Sequence, residues 1–121
     1  MSTNDTFLAI FLGGKNNPKM VEWNALPEAE RNVRQQHGMA AWKAWAEKHD
    51  AAIVEMGGPL GKTKKVDPKG VADTGNLLTA FTVVRAASHE AAAKMFEGHP
   101  HFSIFPGDAI EIMPVLPIPG G

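Results

Sequence analysis

Residues 77–86, with the sequence LLTAFTVVRA, constrain the fold most, because they form the clearest β-strand pattern in the chain. The segment is rich in β-branched and aromatic residues, which suit a pleated, half-buried surface. Further strand patterns occur at residues 7–12 (FLAIFL), 51–60 (AAIVEMGGPL) and 109–115 (AIEIMPV). The uninterrupted apolar run of 7–12 predicts a strand that is buried on both faces or nearly so.

Helix patterns separate these strands. No proline follows Pro27 until after Lys48, and apolar residues recur at spacings of three and four, so this segment predicts an amphipathic helix. Gly38 lies in the middle and costs about 1 kcal/mol relative to alanine in a helix, so we expect a kink or a break there. A second helix is predicted after Ser88, which suits an N-cap, and it ends at Gly98.

The order of these patterns predicts the fold class. Residues 61–70, GKTKKVDPKG, are basic and polar and favour an exposed edge strand. The order is then β, α, β, possibly β, β, α, β, which indicates an α+β sandwich with helices on one face of an antiparallel sheet. A ferredoxin-like arrangement fits most simply. A length of 121 residues suits a single domain over residues 1–121.

Composition excludes several classes of partner. The chain has no cysteine, and its 12 basic and 13 acidic residues give a net charge of −1, which offers no strong field for nucleic acid or an anionic membrane. FLAIFL is far shorter than the ~20 residues that span a bilayer. The preceding MSTNDT lacks the basic residues of a signal peptide. We therefore expect a cytoplasmic protein with no nucleic-acid or membrane partner.

Four segments appear in an order typical of a known family: FLAIFL, HDAAIVEMGGPL, FTVVRAASHEAAAKMFEGHP and IEIMP. With these segments the chain resembles the YCII-related proteins, including the branch named after an Asp-Gly-Pro-Phe motif, from about Phe7 to Val115. The resemblance implies a ferredoxin-like fold that dimerises into an α/β barrel. It also implies, for some members, small-molecule enzymes with a His–Asp pair, and one relative acts on chlorinated aromatic breakdown products.

The resemblance also suggests positions for that pair. The family histidine sits in the first helix after an arginine, and His37, preceded by Arg34, is the nearest match, about one turn early in an ungapped alignment. The acidic partner precedes the proline that follows the second helix, where this chain has His99. The Asp-Gly-Pro-Phe stretch would fall near VADTGN and is absent. The resemblance therefore implies membership without an intact His–Asp pair.

The stretch GHPHFSIFPGDAIEIMPV, residues 98–115, contains two histidines two positions apart. Pro100 favours extended backbone at His99, and on an extended segment His99 and His101 would point the same way. Two imidazoles on one face could bind a metal, handle protons or simply lie half-exposed in a loop. A zinc site usually needs three or four protein ligands, so we expect neither a metal nor another cofactor. The candidate catalytic residues are His37, His99 and His101.

Aromatic residues supply candidate ligand contacts. Trp42 and Trp45 lie three apart on one helix face, a spacing found more often in a core than in a ligand platform. With Phe96, Phe102 and Phe105 they could line an apolar cavity. The candidate substrate-binding residues are Trp42, Trp45 and Phe102.

Three functions remain open. The first is a small-molecule enzyme of lyase, isomerase or dehalogenase type that uses histidine acid–base chemistry. The second is a non-catalytic domain that binds a small ligand, and the third is a metal-dependent variant built on His99 and His101.

A sheet face without helices leaves apolar surface for a partner, so we expect a homodimer.

Overall fold

A computed structural model describes residues 5–119. The elements in chain order are β1 (Asp5–Leu12), α1 (Pro18–Ala25), α2 (Glu28–Lys48), a 3-10 turn (Asp50–Ala52), β2 (Ile53–Pro59), β3 (Thr63–Asp67), β4 (Gly70–Thr74), β5 (Leu78–Ala86), α3 (His89–Lys94), α4 (Pro100–Ser103) and β6 (Ala109–Pro114).

Four strands form an antiparallel sheet in the order β2-β5-β1-β6. The apolar segment 77–86 supplies β5, which lies between β2 and β1 as one of the two central strands. Helices α1 and α2 connect β1 to β2, and helices α3 and α4 connect β5 to β6. This connectivity is that of the ferredoxin-like fold. The predicted α+β class is therefore confirmed.

One face of the sheet holds the core, and β1 shows why. Along this strand Phe7, Ala9 and Phe11 are buried while the residues between them are only half-buried. This alternation corrects the prediction of a strand buried on both faces: the helices cover one face of the sheet only. On that covered face Val84 lies opposite Phe7, and Trp45, Ala92 and Phe96 complete the buried cluster.

The exposed strand predicted at residues 61–70 forms, but not at the edge of the main sheet. This segment contributes β3, which pairs with β4 in a separate two-stranded sheet and not with the main sheet. The turn between the two strands explains the difference. The Asp67 carboxylate accepts a hydrogen bond from the Lys69 backbone N–H at 2.8 Å, and Gly70 has a φ of 118°, so the chain folds back on itself.

The helix α2 runs without interruption through Gly38, so the chain does not break there. Gly38 is buried, and a β-carbon at this position would overlap the ring of Phe105. The glycine therefore allows close approach of an aromatic ring to the helix, and this contact compensates for its low helix propensity. The short helix α1 was not predicted, although Asn17 before Pro18 is a recognisable start signal: its side chain accepts from the Met20 N–H.

Candidate functional site

The two histidines of residues 98–115 do not lie on an extended segment, which corrects that prediction. Gly98 has a φ of 69°, His99 is extended with a ψ of 142°, and Pro100 begins the short helix α4. His99 is the N-cap of this helix: its Nδ1 accepts a hydrogen bond from the His101 backbone N–H at 3.0 Å. The two imidazoles consequently have different surroundings.

The ring of His99 lies in a box of four aromatic side chains. Trp42 and Trp45 approach it edge-on, with ring centroids at 4.5 and 4.8 Å, and Phe11 does so at 5.1 Å. Phe96 completes the box at 5.9 Å. The side chain is only 1% exposed. His99 is therefore a core residue as well as a helix cap.

The hydrogen bonds of His99 fix its protonation state. Because Nδ1 accepts from a backbone N–H, the proton of the neutral ring is on Nε2, and Nε2 has no hydrogen-bond partner. Burial lowers the pKa of His99 to about 4, with smaller contributions from His101 and His49. The ring is accordingly neutral at pH 7.

His101 points toward the end of β1. Its Nε2 lies 2.8 Å from the Leu12 carbonyl oxygen, which can only accept, so Nε2 carries the proton and Nδ1 holds the lone pair. Gly107 passes so close that a β-carbon there would overlap the imidazole. Burial lowers the pKa of His101, while backbone hydrogen bonds at Leu12 and Ala109 and the Asp108 carboxylate act in the opposite direction.

A hydrogen-bonded clamp holds this end of the sheet. The Asp108 backbone N–H donates to the same Leu12 carbonyl at 2.9 Å. The Asp108 carboxylate accepts from the Gly14 backbone N–H at 3.0 Å and from Asn17 Nδ2 at 2.6 Å. Asn17 in turn caps α1, so one network joins the loop after β1 to the turn before β6. The sequence analysis had no role for Asn17 and weighed no clamp, because the two segments are far apart in the chain.

Two apolar cavities meet beneath α2, and they share Trp42, Pro59 and Ala80. The first, of about 260 Å³, is also lined by His101, Phe105 and Gly107, among others. The second, of about 290 Å³, continues toward β2 and β5 and is lined further by Met39, Met56, Gly57, Gly58, Phe81 and Thr82. Each volume is close to the lower end of the range for small-molecule sites, about 300–1,000 Å³. The cavities therefore suit a small ring compound.

The other predicted site residues lie in different surroundings. Trp45 is buried in the core, where its Nε1–H donates to the Met95 carbonyl at 2.8 Å. Phe102 is half-buried on α4, and its carbonyl accepts from the Lys19 ammonium at 2.9 Å. His37 is exposed on α2, and no aromatic contact of the described residues joins its ring to His99 or His101. Trp42 and His101 are the two predicted residues that line a common cavity.

Among residues 5–119, no group of three or more histidine, aspartate or glutamate side chains is placed to hold a metal ion. Over the same residues, no helix is both long and apolar enough to cross a membrane.

Neither a protein-family model nor a curated protein matches the chain. The solved structures that are similar to it include the 5-chloro-2-hydroxyhydroquinone dehydrochlorinase TftG from Burkholderia phenoliruptrix AC1100, in complex with 2,5-dihydroxybenzoquinone. The sequence identity is 22% and the TM-score is 0.52, over 89% of this chain and 90% of the other. At this identity the likeness shows the fold, and it agrees with the ferredoxin-like topology described above.

Proposed function

We propose that the chain is a YCII-related small-molecule enzyme of lyase, isomerase or dehalogenase type, in which His101 transfers a proton in the apolar cavity beneath α2. One observation supports this most: a buried histidine lines an apolar cavity of ligand size, and its Nε2–H is already engaged by the Leu12 carbonyl. The 22% identical dehydrochlorinase binds 2,5-dihydroxybenzoquinone on the same fold, which supports a small ring compound as the ligand class.

The hydrogen bond to Leu12 determines which atom reacts. With Nε2–H donated to a carbonyl, the neutral ring of His101 can accept a proton only at Nδ1. Because burial lowers the pKa of His101, the neutral form is present at pH 7, as a general base requires. In a dehydrochlorination, Nδ1 would take a proton from the ring compound as the C–Cl bond breaks. Chloride would leave with the electron pair of the C–Cl bond, and the electron pair of the broken bond to hydrogen would form the new π bond.

His99 acts in this proposal as a positioning residue. Its Nε2–H is enclosed by aromatic rings, and its Nδ1 is engaged by the His101 backbone N–H. It therefore holds the first turn of α4 and, with it, the imidazole of His101. His37 is exposed on α2, so we propose that it contributes to a reaction only if a second subunit brings it to a cavity.

The indole of Trp42 is the proposed platform for the ring of the substrate. It lines both apolar cavities and is stacked on Phe11 at a centroid distance of 5.2 Å, which fixes its plane. Trp45 and Phe102 support the site indirectly. Trp45 packs against His99, and Phe102 lies in α4 beside His101.

A homodimer is the second part of the proposal. Opposite the helices, the sheet presents Leu8, Ile10, Phe81 and Val83 at paired positions of β1 and β5, with Met113 of β6 beside Leu8. These residues form a continuous apolar surface, and a symmetric dimer is the commonest way to cover such a face.

The cytoplasmic location remains a prediction from the sequence.

The test uses the substrate of the structurally similar enzyme. Purified protein is incubated with 5-chloro-2-hydroxyhydroquinone, and chloride release is measured for the wild type, His101→Gln and His89→Gln. His89 is exposed and bonded to the Ile112 carbonyl, so it serves as a matched control. We expect release that is lost in His101→Gln and kept in His89→Gln. Binding of the compound to Trp42 without turnover would instead support a non-catalytic ligand-binding domain.

A further inference from the structure

A third cavity, of about 570 Å³, lies between the β3–β4 hairpin and the adjoining end of the main sheet. About half of its lining surface is polar, whereas the lining of the two cavities beneath α2 is almost entirely apolar. They include Lys15, Gly61, Lys62, Thr63, Lys64, Asp73, Thr74, Gly75, Asn76 and Leu78. We call it the lysine cavity.

The charges of the lysine cavity are unbalanced. Lys64 forms an ion pair with Asp73 across the hairpin, so these two charges offset each other. Lys15 and Lys62 also line the cavity, and within residues 5–119 neither has an ion-pair partner. The cavity therefore has an excess of two positive charges and favours an anion.

Neutral donors accompany the lysines. Asn76 Nδ2 donates to the Thr63 hydroxyl oxygen at 3.2 Å, and Asn76 Oδ1 accepts from the Leu78 backbone N–H at 2.9 Å. Because the Thr63 oxygen already accepts from an amide, its own proton is available to a ligand. The lysine cavity thus offers two ammonium groups and a hydroxyl donor, which is a set suited to a carboxylate.

The lysine cavity lies next to the apolar cavity that is lined by His101, although no residue lines both. Three segments contribute residues to both cavities. Gly13 lines the apolar cavity and Lys15 the lysine cavity; Pro59 at the end of β2 and Gly61 after it do the same, and so do the adjacent residues Thr79 and Leu78 at the start of β5. Residues two apart have α-carbons at most about 7 Å from each other. The walls of the two cavities are therefore within about 7 Å of each other at these segments, which is a distance that a small ring compound with an anionic group could bridge.

We propose that the lysine cavity is an anion subsite, so that the ligand of this site is a small ring compound bearing a carboxylate or an equivalent anionic oxygen. The ring occupies the apolar cavity between Trp42 and His101, and the anionic group lies toward Lys15 and Lys62. This inference rests on the proposed function for the position of the ring. It adds the charge of the ligand and the residues that recognise it.

The test compares two probes of the same shape, 2-naphthoate and the neutral 2-naphthamide. Binding is followed by quenching of tryptophan fluorescence and by calorimetry at low ionic strength. The variants are Lys15→Gln, Lys62→Gln and the double variant, with Lys69→Gln in the hairpin turn as the control. All three lysines are exposed, so the fold is retained, and circular dichroism verifies this.

We expect the wild type to prefer 2-naphthoate. Each single variant should weaken naphthoate binding about two- to fivefold, as expected for one partly solvated charge pair, and leave naphthamide binding unchanged. Lys69→Gln should have no effect. Ionic strength near 1 M, where the Debye length is about 3 Å, should reduce the preference.

Two results would overturn the inference, and they differ in what else they exclude. Equal affinity for both probes, or naphthoate binding that is insensitive to Lys15→Gln and Lys62→Gln, refutes the anion subsite and leaves the apolar cavity as a ligand site. Binding of neither probe refutes the subsite and the proposed function together.

Discussion

Replacing His99 should remove a large part of the pH dependence of stability. The native pKa of His99 is about 4 because the ring is enclosed by aromatic side chains, whereas an unfolded histidine titrates near 6.5. Between these values the unfolded chain binds a proton that the native chain does not. The contribution of His99 to the free energy of unfolding is therefore largest above pH 6.5. It falls as the pH decreases from 6.5 to 4 and is constant below pH 4.

The magnitude follows from the two pKa values. A pH of 5 is about 1.5 units below the pKa of the unfolded histidine, which is then protonated, while the native ring is still neutral. At 1.36 kcal/mol per unit, the wild type should lose roughly 2 kcal/mol of stability between pH 7.5 and pH 5 through His99 alone. Burial also lowers the pKa values of His49 and His101, and these contributions remain when His99 is replaced.

The assay is urea unfolding at pH 7.5, 6.5, 5.5 and 5.0 for the wild type and His99→Asn. Asparagine can still cap α4 through its side-chain oxygen, but it does not titrate. The variant will be less stable at pH 7.5 because a smaller side chain leaves a void among the rings. Its loss between pH 7.5 and pH 5 should nevertheless be about 2 kcal/mol smaller than that of the wild type. His99→Gln, with a longer side chain, repeats the test if His99→Asn is too unstable.

Equal pH dependence in the wild type and the variant would refute the reasoning. A wild type that gains stability toward pH 5 relative to the variant would refute it more strongly. That result would mean that the aromatic box stabilises the imidazolium by cation–π attraction more than burial destabilises it.

Three further predictions concern packing and assembly. Gly38→Ala should lower the free energy of unfolding by about 1–3 kcal/mol in urea titrations, since its methyl group displaces the ring of Phe105; an unchanged midpoint would contradict the contact. Trp45→Phe should cost about 1–3 kcal/mol in the same titrations, because the Met95 carbonyl loses its donor, and a neutral result would contradict a buried bond. Val83→Lys should give a folded monomer by light scattering where the wild type has the mass of two chains; a wild-type monomer would refute the dimer.

Local chemistry in the sequence predicted most of the main sheet. Three of the signals act over only a few residues: the β-branched run of residues 77–86, the Ser88 N-cap and the glycine at position 98. The strand β5 and the short helix α3 formed where these signals predicted them. The uninterrupted course of α2 was not predicted. Gly38 looked like a break because the compensating contact comes from Phe105, 67 positions later in the chain.

The candidate site depended on long-range contacts that a single sequence does not reveal. His99 and His101 were selected for their spacing, yet their roles follow from different partners: an aromatic box for one and the Leu12 carbonyl for the other. The Asp108 clamp joins segments more than 90 positions apart. The segment 61–70, which contains Lys62 and Lys64, was interpreted as an exposed edge strand, because the cavity behind it exists only once the β3–β4 hairpin has formed.

The most direct test of the central claim is a long-range ¹H–¹⁵N spectrum of the histidine side chains, recorded across pH and with added 2-naphthoate. The account predicts that His101 is a neutral Nε2–H tautomer at pH 7, that its pKa is below 6.5, and that its Nδ1 resonance shifts when the ligand binds. The resonances of His89 should not move when 2-naphthoate is added. A His101 that titrates like a free histidine and does not respond to the ligand would contradict the assignment of His101 as the base of this site.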